Sequence, residues 1–106
     1  MYLIVFVTTP SEKVAVKIGR AVVKQKLAAC VNIIPKIRSL YTWQGKFYDE
    51  REALMILKTR RSYFPKLARA IKKLHPYEVP EIIGLKIDRG YKPYLKWLLT
   101  NTRPAR

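Results

Sequence analysis

Three short runs decide most of what this chain can become. Residues 2–7 (YLIVFV), 30–34 (CVNII) and 53–57 (ALMIL) carry apolar side chains at odd and even positions alike. Successive side chains of a strand point to opposite faces of its sheet. Strands of this kind therefore bring apolar surface to both sides, and both sides must be covered.

The stretches between them indicate what covers one side. Residues 2–8 read as a central strand. Thr9, Pro10 and Glu12 form a capping box with proline at the first helical position, and Ser11 is a rival cap. Val14, Ile18, Ala21 and Val22 then make one apolar stripe on a helix over 10–27, with Lys13, Lys17, Arg20 and Lys24 on much of the remainder. Residues 28–35 predict a second strand, interrupted near Pro35 because proline donates nothing to a ladder, and 38–43 resume it. Gln44-Gly45 is a tight turn and 46–59 a long third strand, so the pair forms an extended hairpin. Residues 62–74 predict a helix with Phe64, Leu67, Ala68, Ile71 and Leu74 on one side. Pro65 is tolerated in its first turn and Pro76 stops it. A fourth strand over 81–88 and a last helix over 91–101 follow, the latter with Tyr91, Leu95, Leu98 and Thr102 in register.

This order is that of an α+β split βαβ, the ferredoxin-like βαββαβ plait, with a helix appended. Right-handed crossovers put both main helices on one sheet face. The last helix is too short to cover the other, and a symmetric oligomer is the economical cover. The length of 106 residues suits a single domain, 1–106.

A formal charge of +15, from 22 Lys+Arg against 7 Asp+Glu, admits two readings. One is a polyanionic partner; the other, which the even spread of the cations favours, is a solvated surface of the kind found in thermostable chains. The lone cysteine, Cys30, cannot form an internal disulfide and fits a reducing cytosol. The apolar start lacks a basic n-region and ends after nine residues, and no run reaches membrane length. The expectation is a cytoplasmic protein without a membrane partner. Glycines 19, 45, 84 and 90 form no phosphate-binding loop.

Five motifs, LAACVNIIP, SLYTWQGKFYDERE, MILKTR, LHPYEVPEII and YLKWL, resemble the CutA divalent-cation tolerance family in order and spacing. The resemblance runs from the first strand to Trp97. It implies a homotrimer whose sheets pack around a threefold axis, a role in tolerance of copper and other divalent ions, and no established catalysed reaction, hence no enzyme. Some members of that family carry a cysteine where this chain has Val7, and a second histidine where it has Leu74. Of that ligand pattern His75 is retained, which implies weak binding of copper or another divalent cation, shared between subunits.

His75, Glu81 and Cys30 are the candidate metal ligands. His75, the only histidine, has a structural alternative, a bond to the last helical carbonyls. Cys30 has one as a small buried hydrophobe. Five of the seven carboxylates gather as Asp49, Glu50 and Glu52, with Glu78 and Glu81 beside the prolines. Period two puts Glu50 and Glu52 on one strand face, where they could meet Lys58 or a cation of an adjoining subunit, or offer oxygens to a divalent ion. Tyr41, Trp43, Glu52, Lys58, Tyr77 and Trp97 are the candidate lining of a pocket between subunits. Two other functions compete. One is a regulatory trimer holding a small anionic ligand in the subunit clefts, by analogy of fold. The other is a nucleic-acid binder using aromatics of the open sheet face; it is set aside because that face is needed for assembly.

Overall fold

The computed structural model describes residues 1–103. It comprises β1 (Tyr2–Thr9), α1 (Glu12–Lys24), β2 (Cys30–Trp43), β3 (Lys46–Arg60), a 3-10 turn (Arg61–Tyr63), α2 (Phe64–Leu74), β4 (Ile82–Lys86) and α3 (Lys92–Thr100). The strands form one mixed-order antiparallel sheet, β2-β3-β1-β4. Among the described residues no helix is long and apolar enough to cross a membrane.

β1 lies inside the sheet, as its two-sided apolar sequence requires. Its odd positions Val5 and Val7 pair with Leu57 and Met55 of β3, and all four are fully buried. Ala15, Ile18 and Val22 of α1 and Leu67 and Ile71 of α2 close this side into the core. Each of the valine, leucine, isoleucine and methionine side chains contributes about 1.5–3 kcal/mol on burial.

Local chemistry sets the element ends, and several differ from expectation. Ser11, not Thr9, caps α1: its Oγ accepts the Val14 N–H at 3.2 Å. Thr9 is fully buried and its hydroxyl donates to the Ser11 carbonyl at 2.7 Å. The helix ends at Lys24, three residues early, because Lys26 turns to φ 59. The Lys26 N–H then reaches the Val23 carbonyl and the Leu27 N–H that of Val22, which is the Schellman pattern. α2 opens only at Phe64, after the 3-10 turn. It ends at Leu74 because His75 precedes a proline and takes an extended conformation, φ −83 and ψ 131. β4 is five residues long, three shorter than expected.

β2 is not interrupted at Pro35. It continues through a bulge, where pairing passes from Ile34↔Leu54 to Ile37↔Glu52. Three steps on β2 match two on β3, so one extra residue is absorbed. The bulge changes which positions share a face. Before it, Cys30, Asn32 and Ile34 lie opposite Lys58, Ile56 and Leu54; after it, Ile37, Ser39 and Tyr41 lie opposite Glu52, Glu50 and Tyr48. All belong to the sheet face turned away from the α1–α2 core.

α3 covers one end of that second face. The Arg60 guanidinium donates to the Leu99 carbonyl at 2.7 Å and to the Thr102 hydroxyl at 3.0 Å, and Leu98 is fully buried. The rest stays open in the protomer: Ile34, Ile83 and Leu85 are 42%, 51% and 45% exposed. Phe6, Leu54 and Ile56 beside them are half-buried.

Candidate functional site

At the far end of the open face the segment joining α2 to β4 meets the base of the β2–β3 hairpin. Helix α2 stops at a proline, so residue 75 leaves the helix axis and drops onto β1. The buried His75 ring accepts the Tyr77 N–H at Nδ1, 3.1 Å away, which puts the ring proton on Nε2. Nε2 donates to the Thr8 carbonyl at 2.7 Å. Both nitrogens are thus engaged with backbone. The structural role expected of His75 is divided: its backbone N–H donates to the Ile71 carbonyl of α2 at 2.9 Å, while its ring bonds to β1.

With His75 seated, Tyr77 is aimed across the sheet. Its ring packs 4.7 Å from the His75 ring, and its hydroxyl donates to Glu52 Oε2 at 2.7 Å. Glu52 is 7% exposed. Next along β3, Glu50 accepts the Tyr41 hydroxyl. Tyr41 and Tyr48 are direct cross-strand partners and stack at 5.1 Å and 11°. Arg38 and Asp49 form a two-pronged ion pair at 2.7–2.8 Å.

Tyr41, Tyr48, Glu52 and Tyr77 border a cleft of about 730 Å³. Glu52, Glu78 and Glu81 are its carboxylates and Tyr41, Trp43, Tyr48 and Tyr77 its aromatic walls. Among the described residues no lysine or arginine lines it. Burial, and then the charge of Glu52, raise the Glu81 carboxyl above its ordinary value. The hydrogen bond to Glu50 is the main cause that pushes the Tyr41 phenol up to about 12. The Tyr77 phenol is raised first by burial and then by its bond to Glu52. In a chain of charge +15 this is a local reserve of negative potential faced with ring surfaces.

Tyr41, Trp43, Glu52 and Tyr77 of the expected pocket come together here, and Glu81 joins them. Lys58 and Trp97 do not. Lys58 is the cross-strand partner of Cys30 and donates to Asn32, so it does not reach Glu50 or Glu52. Trp97 sits on α3, 5.5 Å from Tyr94. Cys30 is half-buried at that same end, and burial, then the neighbouring thiol, raise the Tyr94 phenol. Four residues of β3 separate Lys58 from Leu54, the partner of Thr8, or roughly 13 Å along the strand. Cys30 and His75 therefore stand at opposite ends of the sheet. Among the described residues no three His, Cys, Asp or Glu side chains converge to hold a metal ion. Thr8 enters the lining unforeseen; the bulge in β2 that creates the cleft's wall leaves no mark in the periodicity beyond Pro35.

The profile of the family described as CutA1 divalent ion tolerance protein matches residues 3–101. The divalent-cation tolerance protein CutA of Thermus thermophilus is 50% identical over 99 residues, covering 93% of this chain and 96% of that protein. Protein CutA of mouse is 52% identical over 93 residues, 88% of this chain and 52% of the other, so the chain spans about half the length of that relative. Among solved structures, the Thermus thermophilus divalent cation tolerance protein superposes with TM-score 0.94 at 48% identity, covering 97% of this chain and all of that one (100%). CutA1 from Oryza sativa gives 0.93 at 41% identity, covering 98% of this chain and 95% of that one. With near-complete coverage in profile, sequence and fold, this chain belongs to the CutA1 divalent ion tolerance family.

Proposed function

We propose that the chain works in the cytoplasm as a homotrimer of ferredoxin-like plaits and as a non-catalytic protein that takes up a cation, or serves as a scaffold, in divalent-cation tolerance. The observation that carries this reading is the acidic, aromatic cleft in an otherwise strongly basic chain. Burial and the charge of Glu52 disfavour ionisation of Glu81, and an entering cation relieves that cost. Ring faces attract it as well. The cleft opens beside the uncovered sheet face, so a second subunit is positioned to complete the ligand set. One protomer offers carboxylate oxygens but no free imidazole, because His75 would have to surrender Thr8 or Tyr77 to bind. Copper favours nitrogen and sulfur, so uptake at oxygens alone is weak. The anionic-ligand alternative is disfavoured by charge, since its natural partner Lys58 lies at the other end of the sheet.

Calorimetric titration with copper tests the proposal. Glu81→Gln is expected to bind on the order of tenfold more weakly than the wild type, having one carboxylate fewer. Identical isotherms would remove the cleft as the site.

A further inference from the structure

The opposite surface of the protein carries a second feature. Lys24, Lys26, Lys66, Arg69, Lys72 and Lys73 line a shallow groove of about 1420 Å³ between the end of α1, the length of α2 and the start of β4. Among the described residues no acidic side chain lines it. Lys13, Lys17 and Arg20, all exposed, continue the row back along α1 from Lys24. From Lys13 to Lys24 the row is about 16 Å long, at 1.5 Å per residue.

A heat-adapted surface interleaves the two signs into ion-pair networks. This one does not. Two side-chain ion pairs occur among the described residues, Arg38–Asp49 on the hairpin and Arg89–Asp88 after β4, and neither touches α1 or α2. Arg69 and Lys73, and likewise Lys13 and Lys17, stand four residues apart, a spacing at which like charges destabilise a helix. The fold offers these cations no relief, whereas a linear polyanion does. A row of about 16 Å matches about five steps of B-form duplex at 3.4 Å per step on each strand. Among the described residues no aromatic side chain lines the groove to stack unpaired bases. Its apolar part is built of Leu27, Ala68, Ala70, Leu74, Pro80 and Ile82, framed by the cations. We infer that the α1–α2 face is a sequence-independent docking surface for the backbone phosphates of duplex nucleic acid. It is separate from the acidic cleft, and from the sheet aromatics through which plaits bind RNA.

Anisotropy of a labelled DNA duplex of roughly 20 base pairs, titrated with the full chain over a series of salt concentrations, tests this. The wild type binds, and log affinity falls with log salt with a slope of about −5, as six cations would give at about −0.9 each. Replacing Lys66, Arg69 and Lys73 by alanine reduces that slope by about 3. Replacing Lys36, Arg51 and Lys92, exposed cations away from the groove, leaves it within about 1 of the wild type. Independently of any variant, bound duplex shields Lys66, Lys72 and Lys73 from acetylation and leaves Lys36 and Lys92 reactive. The inference is overturned if the wild type ignores the duplex at low salt, or if both triple variants lose equally. It also fails if polyglutamate of matched charge, or phosphatidylserine vesicles, bind as tightly as the duplex.

Discussion

At the scale of single residues, the site is governed by which polar groups have partners. Glu52 holds a tyrosine hydroxyl, His75 is bonded at both ring nitrogens, and Glu81 is left facing another carboxylate. Because burial and Glu52 raise the folded-state value of Glu81, its contribution is fully present below the ordinary glutamate range and is lost as pH rises through the raised value. In its charged form it is a net liability to the fold. Glu81→Gln should therefore be more stable than the wild type at pH 7, with the gap closing below about pH 4.3; thermal melts across pH measure it, and a variant less stable at neutrality would refute the assignment. Asp49 has the opposite sign: Arg38 lowers its carboxyl, so the stabilisation holds above the ordinary aspartate range and fades in acid. That pair is exposed and screened, and its effect is small.

At the scale of elements, terminations explain more than propensities. α1 closes on a lysine in a left-handed turn, where a side chain costs roughly 1 kcal/mol that glycine does not incur. Lys26→Gly is accordingly expected to stabilise by about 1 kcal/mol, read as a higher denaturant midpoint at unchanged slope. The amphipathic stripes of both main helices, the Gln44-Gly45 turn and the two-sided strands could all be read in the sequence, since each rests on local periodicity or turn chemistry. What could not be read depends on register. Ser11 outcompetes Thr9 as a cap because Thr9 belongs to β1 and is buried there. The bulge at Pro35 decides that Tyr41 stands over Tyr48 and beside Glu50, and no periodicity announces where an extra residue is absorbed. Lys58 shares the face of Glu50 and Glu52 but lies farther along β3, since alternation gives a face and not a position along it, while Trp97 stands on α3. In the cleft, Tyr41, Trp43, Glu52, Tyr77 and Glu81 were legible as types clustered in motifs, whereas the bond of His75 to Thr8 links residues 67 apart and is invisible in sequence.

At the scale of the whole molecule, the open sheet face is the dominant feature. Ile34, Ile83 and Leu85 lie exposed around half-buried Phe6 and Ile56, a surface that a lone protomer would have to keep in water. If three copies cover it mutually, Ile83→Asp should convert a trimer into a single-copy species at micromolar concentration while leaving the α1–α2 core folded. Sedimentation equilibrium decides between this and an unaltered mass, which would mean that the face is covered in some other way. One further consequence attaches to the bulge. β2 is a border strand of fourteen residues, long enough to template end-on growth of a fibril from neighbouring chains. The kink at Pro35 splits that border into two short segments. The residue that aims a tyrosine is thereby also a safeguard against amyloid, and straightening it would leave one long unpaired border to seed precipitation.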